Sequence, residues 1–368
     1  MDNEPQADLV RLGFVGAGFM GQLAHLRSYA TLPGCQVVAL AEGRPDLARR
    51  VAARYEIPHV YPDHLAMLES EQLDGVIAPV PFAQHASILP DLYGGCGHVF
   101  TEKPIAVSAS TGEHLAKMAT AHGCVHMVGY HKRADPAVAW AIEEVGRWRA
   151  SGVAGQLRYV RVVMPAGNWV AGGDAGYLKT DEPPTRLALE PPPRELGEEA
   201  GREYVAFINY YIHQVNLLRY LLGEPYRVAH ADKSGLLLVA ESQSGVPGLI
   251  EMSPYKTALA WEEEALVAFE HGYVRIALPP PLSRFHCGQV EVYIDRPNGE
   301  GPRREVPSLP YVDAMAAQAG RFVQVCRGEA QPLTSASEAV QDLSVAFEYI
   351  ATRYPDAMAD NKTQKLRD

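Results

Sequence analysis

Two ionisable side chains in this sequence stand in settings that suit proton transfer. Lys103 lies in the run Thr101-Glu102-Lys103-Pro104, directly after a short apolar segment. A lysine there can orient a substrate hydroxyl and stabilise a developing alkoxide. His213 lies in a helix-like apolar segment, and the ordinary pKa of histidine suits a general base. Most lysines are surface charges and many histidines are core residues, so the surrounding elements must decide.

A glycine-rich turn indicates the cofactor that these groups would serve. A strand-like segment, 9–15, leads into Gly16-Ala17-Gly18-Phe19-Met20-Gly21, and a helix-like pattern follows. In this G-x-G-x-x-G arrangement the first glycine permits a tight turn, the second admits a pyrophosphate and the third allows close helix–strand packing. Glu42 follows 21 positions after Gly21, where a carboxylate can accept ribose hydroxyls. The sequence therefore predicts NAD. Arg44 keeps NADP open because it could pair with a 2′-phosphate, although a solvated loop charge is the favoured interpretation.

The bulk composition describes a globular protein of two domains. The chain has 368 residues, of which 47% are hydrophobic, enough to fill two cores. Its net charge of −11 argues against nucleic acid or an anionic membrane as a partner. Five scattered cysteines and an N-terminus without an apolar signal segment predict a cytoplasmic protein. The scattered histidines show no metal-ligand spacing, so we expect a small-molecule substrate and no metal.

Short apolar runs alternate with amphipathic stretches over residues 9–128. The strand candidates are 9–15, 36–41, 74–78, 98–101 and 124–128, and the helix candidates lie near 20–31, 45–55, 64–70, 85–94 and 110–121. This alternation predicts an α/β dinucleotide-binding domain over 1–128, with a doubly wound parallel sheet. Lys103 would then lie at the carboxyl edge of that sheet, where ligands of such folds bind.

Residues 129–355 have a different sequence pattern, in which strand candidates are joined by turns. The strand candidates are 156–164, 226–231, 235–240, 247–253, 264–270, 273–278 and 289–294, and the helix candidates are 136–150, 207–222, 310–327 and 335–353. The pattern predicts an α+β domain with a broad, mostly antiparallel sheet, followed by a polar tail, 356–368. In the helix 207–222, spacing puts Asn209, His213, Asn216 and Tyr220 on one polar stripe.

Taken together, these features resemble the Gfo/Idh/MocA oxidoreductases, the relatives of glucose-fructose oxidoreductase and inositol dehydrogenase. The resemblance rests on the glycine-rich opening, the Glu102-Lys103-Pro104 triplet and the helix that carries His213, and it spans about 9–349. It implies a Rossmann domain followed by a domain with a large open sheet. It also implies NAD(H) or NADP(H), a hydroxyl of a sugar or cyclitol as the reacting group, and a homodimer or homotetramer formed through the open sheet.

The resemblance also assigns roles to individual residues. Lys103 matches the catalytic lysine of the family and His213 its catalytic histidine. Cofactor contacts are implied for Pro79, Pro81, Phe82, His85 and Glu102. Substrate contacts are expected at Tyr130, His131, Arg133, Tyr210 and Asn216, with Arg133 able to serve structure instead.

Two asparagines depart from the family pattern. The family commonly has aspartates four residues before and three residues after the histidine, where this chain has Asn209 and Asn216. Asn209 can still hold a substrate hydroxyl, but an asparagine can neither take a proton nor stabilise an imidazolium by charge. His213 should then be a weaker base or depend more on Lys103.

A Gly- and Pro-rich insertion over 167–205 is too long for a plain connector. Such loops are usually lids, binding loops or subunit contacts. Near its start, Asn168 could hydrogen-bond hydroxyls and Trp169 could stack on a sugar face, with core packing as the alternative for Trp169. A lid of this length would suit a substrate larger than a bare hexose, such as a glycoside.

The expected function is that of an NAD-dependent dehydrogenase of a sugar, glycoside or cyclitol hydroxyl. Three alternatives stay open. A keto-sugar reductase of a biosynthetic pathway would use the same residues in reverse. A redox-cycled glycosidase or lyase would need a second base, for which His131 and Tyr210 are the candidates. A non-catalytic nucleotide-binding protein is favoured by the two replaced aspartates alone.

Overall fold

A computed structural model describes residues 9–172, 174–185, 187–296 and 301–356, which form two compact units. The first unit holds the described residues of 9–130, 173–191 and 315–340, and the second holds those of 131–172, 192–314 and 341–356. This division differs from the expected contiguous one at 128/129, because two later stretches join the first unit. The predicted tail, 356–368, lies outside the described residues apart from its first residue.

A six-stranded parallel sheet forms the centre of the first unit, in the order β3-β2-β1-β4-β5-β6. Its strands are β1 (Val10–Val15), β2 (Cys35–Ala41), β3 (His59–Tyr61), β4 (Gly75–Ala78), β5 (His98–Glu102) and β6 (Val125–Gly129). The strand order reverses between β1 and β4, which is where doubly wound folds bind their ligands. The predicted Rossmann class is confirmed. The edge strand β3 escaped prediction because its three residues are largely exposed and carry no apolar run.

Helices pack on this sheet as the sequence spacing predicts. They are a π-helical turn (Gly21–Leu26) continued by α1 (Arg27–Tyr29), then α2 (Pro45–Tyr55), α3 (His64–Ser70), α4 (His85–Gly95) and α5 (Ala109–Ala121). Two of them begin at side-chain caps, since Asp63 accepts from the Ala66 N–H at 2.9 Å and Ser108 accepts from the Thr111 N–H at 3.2 Å.

The second unit is built on an eight-stranded sheet in the order β14-β13-β12-β11-β7-β10-β9-β8. Its strands are β7 (Leu157–Ala166), β8 (Tyr226–Ala231), β9 (Leu237–Ser242), β10 (Pro247–Lys256), β11 (Glu264–Phe269), β12 (Gly272–Ala277), β13 (Gln289–Ile294) and β14 (Arg303–Glu305). All pairs are antiparallel except β7–β10. Along β11, buried Ala265, Val267 and Phe269 alternate with half-buried residues, so one face is covered and the other is more open.

Five further helices complete the described chain. They are α6 (Pro136–Ser151), α7 (Gly197–Tyr210), α8 (Ile212–Leu222), α9 (Ala314–Cys326) and α10 (Ala336–Arg353). Nearly all of α9 belongs to the first unit, where Phe322 packs against Phe100 with ring centroids 5.6 Å apart. The amphipathic pattern predicted this helix but could not show which core it would join. None of the helices within the described ranges is long and apolar enough to cross a membrane.

The single helix predicted over 207–222 is wrong. Two helices replace it, and Tyr211 lies at the break between them with φ −92° and ψ −2°. Its hydroxyl hydrogen-bonds Ser253 of β10, a tertiary contact that local spacing does not reveal. The predicted polar stripe is therefore divided, with Asn209 exposed near the end of α7 and His213 in the first turn of α8.

Candidate functional site

A cavity of about 300 Å³ lies at the carboxyl edge of the parallel sheet, entirely within the first unit. The predicted cofactor residues on its wall are Gly16, Gly18, Glu42, Arg44, Pro79 and Pro81. Gly16 has φ +90°, a conformation that glycine adopts readily, and a Cβ on Gly21 would lie 2.6 Å from the Gly16 carbonyl. The turn therefore requires glycine at positions 16 and 21 of the motif, and the cavity has the size of a ligand pocket.

The Glu42 carboxylate is the main acidic group of this cavity, and it is already fully hydrogen-bonded. It accepts from the Ala17 N–H at 2.8 Å, from the Arg44 N–H at 3.1 Å, and from the Arg44 side chain at 2.7 Å through Nε and 2.8 Å through Nη2. Burial alone would raise the pKa of Glu42, but these bonds and the Arg44 charge lower it below its ordinary value. Arg44 is thus a half-buried partner of Glu42, which corrects its interpretation as a solvated loop charge.

Lys103 lies half-buried at the end of β5, and the preceding glutamate is held in place. Glu102 is 9% exposed and pairs with His25 at 2.8 Å, while the Lys103 N–H donates to its second oxygen at 3.2 Å. Burial favours a raised pKa for Glu102, yet the His25 hydrogen bond and the nearby positive charges bring it below the ordinary value. The His25–Glu102 hydrogen bond ties the end of β5 to the helix that follows the glycine turn, and so positions the backbone that carries Lys103.

The loop after β4 places its predicted residues at different depths. Pro81 is exposed, Pro79 is buried and Phe82 is half-buried in a short 3₁₀ turn. His85 is 0% exposed, and its Nδ1 lies 3.0 Å from the Ile105 carbonyl oxygen. Burial lowers the pKa of His85, which keeps the ring neutral. The expected direct cofactor contact does not fit this position, and His85 instead anchors the loop to the segment after β5.

A residue of the glycine turn, Phe19, contacts the insertion. Phe19 and Met20 are half-buried, and Phe19 meets Tyr177 edge to face with ring centroids 5.3 Å apart. Residues 173–191 belong to the first unit, and Pro184, Thr185 and Leu187 line the cavity beside Glu42. The insertion was expected to be one lid or subunit contact. Part of it lies at the nucleotide cavity, and residues 192–205 return to the second unit, where α7 begins.

His213 has a second histidine beside it in the second unit. The rings of His131 and His213 meet edge to face with centroids 4.6 Å apart. His131 is 5% exposed and His213 is half-buried. Tyr210, at the end of α7, is partly exposed, and burial raises its pKa, so its hydroxyl remains a proton donor at neutral pH. Tyr210 is therefore unsuited to the second-base role that a glycosidase mechanism would require.

Several residues expected to contact substrate are buried instead. The Asn216 amide oxygen accepts from Arg133 Nε at 2.7 Å, and its amide nitrogen donates to Asp342 at 2.7 Å. Asp342 also pairs with Arg219 at 2.9 Å, and Arg133 lies over the Tyr220 ring at 4.3 Å. In this network Asn216 and Arg133 make structural contacts, the alternative already open for Arg133, and a substrate contact at either residue remains a prediction. Tyr130 of the first unit is only 1% exposed and has no open surface for a substrate.

The same network explains one departure from the family pattern. An aspartate at 216 would put a second carboxylate against Asp342 in place of the amide donor. The neutral amide donates to that carboxylate and accepts from an arginine, which satisfies both neighbours. A sequence shows the asparagine but not the acid that faces it, 126 residues further along the chain.

A buried ion pair in the second unit was missed by the sequence analysis. Lys132 contacts Glu263, and their side chains are 5% and 0% exposed. Gln214 donates to the other Glu263 oxygen at 2.9 Å. Lys132 sits between the two predicted residues His131 and Arg133, so the run of basic residues was visible, but its buried partner was not. The pair fixes the 3₁₀ turn that carries His131.

Asn168 and Trp169 lie just after β7 in the second unit, at the start of the insertion. The Asn168 side-chain oxygen accepts from the Ala171 N–H at 3.0 Å, which is a turn contact. Trp169 is half-buried, and its carbonyl accepts from the Leu282 N–H at 3.3 Å. Both residues are thus placed by local structure, and a sugar contact at either remains a prediction.

Comparison with known proteins agrees with this geometry. Residues 10–130 match the model of the GFO_IDH_MocA family, described as "Oxidoreductase family, NAD-binding Rossmann fold". The inositol 2-dehydrogenase of Acidothermus cellulolyticus is 30% identical over 129 residues, 35% of this chain and 38% of that protein. The rhizopine catabolism protein MocA of Rhizobium meliloti is 25% identical over 350 residues, 91% of this chain and 92% of that protein.

A solved structure extends the likeness to both units. The crystal structure of a variant of KijD10, a 3-ketoreductase from Actinomadura kijaniata in complex with TDP-benzene and NADP, superposes with a TM-score of 0.66. It covers 94% of this chain and 97% of that one at 17% identity, a likeness of fold alone. Residues 10–130 thus resemble the NAD-binding Rossmann domain of the GFO_IDH_MocA oxidoreductase family, and the described chain shares the fold of the 3-ketoreductase.

Proposed function

We propose that this protein is an NAD-dependent dehydrogenase that oxidises a secondary hydroxyl of a sugar, glycoside or cyclitol. The observation that carries the proposal is the cavity of about 300 Å³ at the β1/β4 switch point, with the glycine turn on one side and Glu42 on another. Gly16 forms a cradle that a Cβ would disturb, so the residues present fit a dinucleotide. The inositol dehydrogenase and MocA relatives support the substrate class.

The charges around the cavity favour NAD over NADP. Glu42 and Arg44 neutralise each other, and Asp63 adds a further acid to the wall. His64 also lines the cavity, but its ring pairs with Asp91 at 3.0 Å. A 2′-phosphate would therefore meet one arginine that is already engaged and two carboxylates. Ribose hydroxyls would need only that Arg44 turn aside from Glu42.

A nicotinamide cofactor bound in this cavity would supply the hydride acceptor for the proposed reaction. The Lys103 ammonium donates a hydrogen bond to the reacting oxygen and stabilises negative charge as it develops there. The His213 imidazole takes the hydroxyl proton as general base. Asn209, exposed near the end of α7, holds a neighbouring hydroxyl through its amide. Lys103 belongs to the first unit and His213 to the second, and each assignment is tested separately.

Substitution of the two catalytic groups tests the assignment. Lys103→Ala and His213→Ala should each lower kcat at least about a hundredfold, the usual scale for acid–base groups, while NADH binding persists. Matched controls are Lys117→Ala and His114→Ala, because both residues are exposed on α5. Turnover near that of the controls in either catalytic variant would remove that residue from the mechanism.

A keto-sugar reductase using NADP is the second candidate. Arg44 in the cavity wall supports it, because a guanidinium can bind a 2′-phosphate in two-point fashion. The 3-ketoreductase complex with NADP has the same fold. A preference for NADPH over NADH by tenfold or more in binding would favour this candidate over the dehydrogenase.

We also propose that the protein forms homodimers or homotetramers through the open face of the eight-stranded sheet. The more open positions include apolar side chains on several adjacent strands, among them Val163, Val239, Leu249 and Leu266. An apolar surface of that kind usually marks an interface. Sedimentation equilibrium should show an oligomer that Leu266→Lys weakens, and a monomer at all concentrations would contradict the proposal. A cytoplasmic location remains a prediction.

A further inference from the structure

A single stretch of the insertion is built onto the nucleotide cavity, and we call the described residues of 174–191 the clasp. The chain leaves the second unit before the clasp and returns to it afterwards, while the clasp itself belongs to the first unit. Its described residues carry no helix or strand, so its position depends on side-chain and backbone contacts made by its neighbours.

Gln22 fastens the start of the clasp to the glycine turn. This side chain directly follows Gly21, is 0% exposed, and donates to the Ala17 carbonyl at 2.8 Å and the Leu178 carbonyl at 3.1 Å. Its amide oxygen accepts from the Leu178 N–H at 3.0 Å. The buried Gln22 amide thus hydrogen-bonds both the N–H and the C=O of Leu178, as a neighbouring strand would do in a β-sheet.

Two glutamates fix the clasp to the N-termini of two helices of the first unit. Glu182 accepts from the Asp46 and Leu47 N–H groups, each at 3.1 Å, in the first turn of α2. Those backbone hydrogen bonds lower the pKa of Glu182. Glu190 accepts from the Val107 N–H at 2.8 Å and the Ser108 N–H at 3.0 Å, where α5 begins. Carboxylates at helix N-termini are stabilised by unpaired N–H groups and by the helix dipole.

Between these two anchors, described residues of the clasp line the cavity. Pro184, Thr185 and Leu187 contribute to its wall. Thr185 packs so closely on Gly43 that a Cβ at residue 43 would lie 1.9 Å from the Thr185 Oγ1. Gly43 directly follows Glu42, the residue expected beside the adenosine ribose. The glycine at 43 therefore makes room for the clasp.

We propose that the clasp is part of the dinucleotide site and covers the adenosine half of the bound cofactor. Its side chains form a wall at the ribose end, and its anchors must release before the cofactor can leave. The clasp thus sets the rate of cofactor exchange and takes no part in the proton transfer assigned to Lys103 and His213. This inference rests on the proposed function, because it requires a bound nicotinamide dinucleotide.

Stopped-flow release of NADH from the full-length protein, followed by fluorescence, tests the proposal. Glu182→Ala combined with Glu190→Ala should raise the NADH dissociation rate at least tenfold and leave the folded state intact by circular dichroism. The matched control is Glu199→Ala, because Glu199 is an exposed acid in the first turn of α7 in the second unit. The control should release NADH at the wild-type rate.

A steric variant gives an independent readout. Gly43→Ala should also accelerate release, because the new methyl group displaces Thr185, and adding Thr185→Ala should return the rate toward that of the wild type. Loss of rescue in the double variant would mean that the methyl group acts on the cofactor itself, which would contradict the clasp. If the Glu182/Glu190 variant releases NADH at the wild-type rate, the role proposed for the clasp is wrong and the proposed function is unaffected. If the wild-type protein binds neither NADH nor NADPH, the proposed function is wrong as well.

Discussion

Arg44→Ala should strengthen the preference for NADH over NADPH by an amount that the contacts allow us to work out. The Glu42 carboxylate has about four acceptor positions, and the hydrogen bonds from Ala17, the Arg44 backbone and the Arg44 side chain fill them. Ribose hydroxyls can bind Glu42 only after the guanidinium moves away. The substitution removes that competitor and at the same time removes the cation nearest to a 2′-phosphate.

The magnitude follows from the two side-chain hydrogen bonds, at 2.7 and 2.8 Å, of a pair whose side chains are 18% and 4% exposed. Displacing such a pair should cost about 1–2 kcal/mol after solvation of the arginine, so NADH should bind roughly 5- to 30-fold more tightly to the variant. Loss of a charge-assisted contact to phosphate should weaken NADPH binding by about 1.5–3 kcal/mol. The ratio of the two affinities should therefore shift by roughly a hundredfold or more.

Fluorescence titration with NADH and with NADPH measures both constants without knowledge of the substrate. The matched control is Arg49→Ala on α2, whose ion pair with Asp46 is largely exposed. The control should leave the affinity ratio unchanged. If Arg44→Ala changes both affinities in parallel, or neither, then Glu42 does not face the ribose and the reasoning is refuted.

Three further predictions follow from the described contacts. Asn216→Asp should lower the free energy of unfolding by about 2 kcal/mol or more, because it sets a second buried carboxylate beside that of Asp342, and the loss measured in urea should be larger at pH 8 than at pH 5. The pKa of Glu102 is lowered in the folded state, so this carboxylate stabilises the fold fully above its ordinary pKa of 4.5. That stabilisation is lost as the pH falls through the folded-state pKa. The difference in unfolding free energy between wild type and Glu102→Gln should therefore shrink only below about pH 4.5. Asn209→Asp should raise kcat several-fold, because a carboxylate would stabilise the protonated His213. Tm should stay unchanged, because the position is exposed. Equal kcat values for the variant and the wild type would mean that Asn209 takes no part in the reaction.

The nucleotide-binding fold could be predicted because its signals are local. Each central strand is a short apolar run, and the glycine turn, the acid after β2 and the lysine after β5 follow their strands directly. Parallel strands bring their carboxyl ends to one edge, so the residues that follow them meet there without further information. The same logic placed Gly16, Glu42 and Pro79 on one cavity.

The second unit was harder to predict because its functional helix depends on tertiary contacts. The break at Tyr211 comes with a bond to Ser253, and the burial of Asn216 comes from Asp342, both distant in sequence. Helical spacing alone assigned Asn209 and Asn216 to one face and gave them similar roles. The structure exposes the first and buries the second.

The clasp could not be predicted for a similar reason. The Gly- and Pro-rich composition of the insertion indicated an unusual loop but did not show what its glutamates bind. Glu182 and Glu190 reach helix N-termini that lie 135–136 and 82–83 residues away in the sequence. A long loop is usually assigned to the substrate, and here the contacts place it at the cofactor cavity instead.

Absorbance at 340 nm tests the central claim most directly. Wild type, Lys103→Ala and the control Lys117→Ala would each be incubated with NAD⁺ and with NADP⁺ against inositols, free hexoses, and alkyl and aryl glucosides. The account predicts that at least one of these compounds produces NADH with wild type and the control, faster than NADPH, and at least about a hundredfold more slowly with Lys103→Ala. Reduction that is equally fast in the Lys103 variant, or no reduction of either cofactor by a protein shown to bind it, would contradict the account.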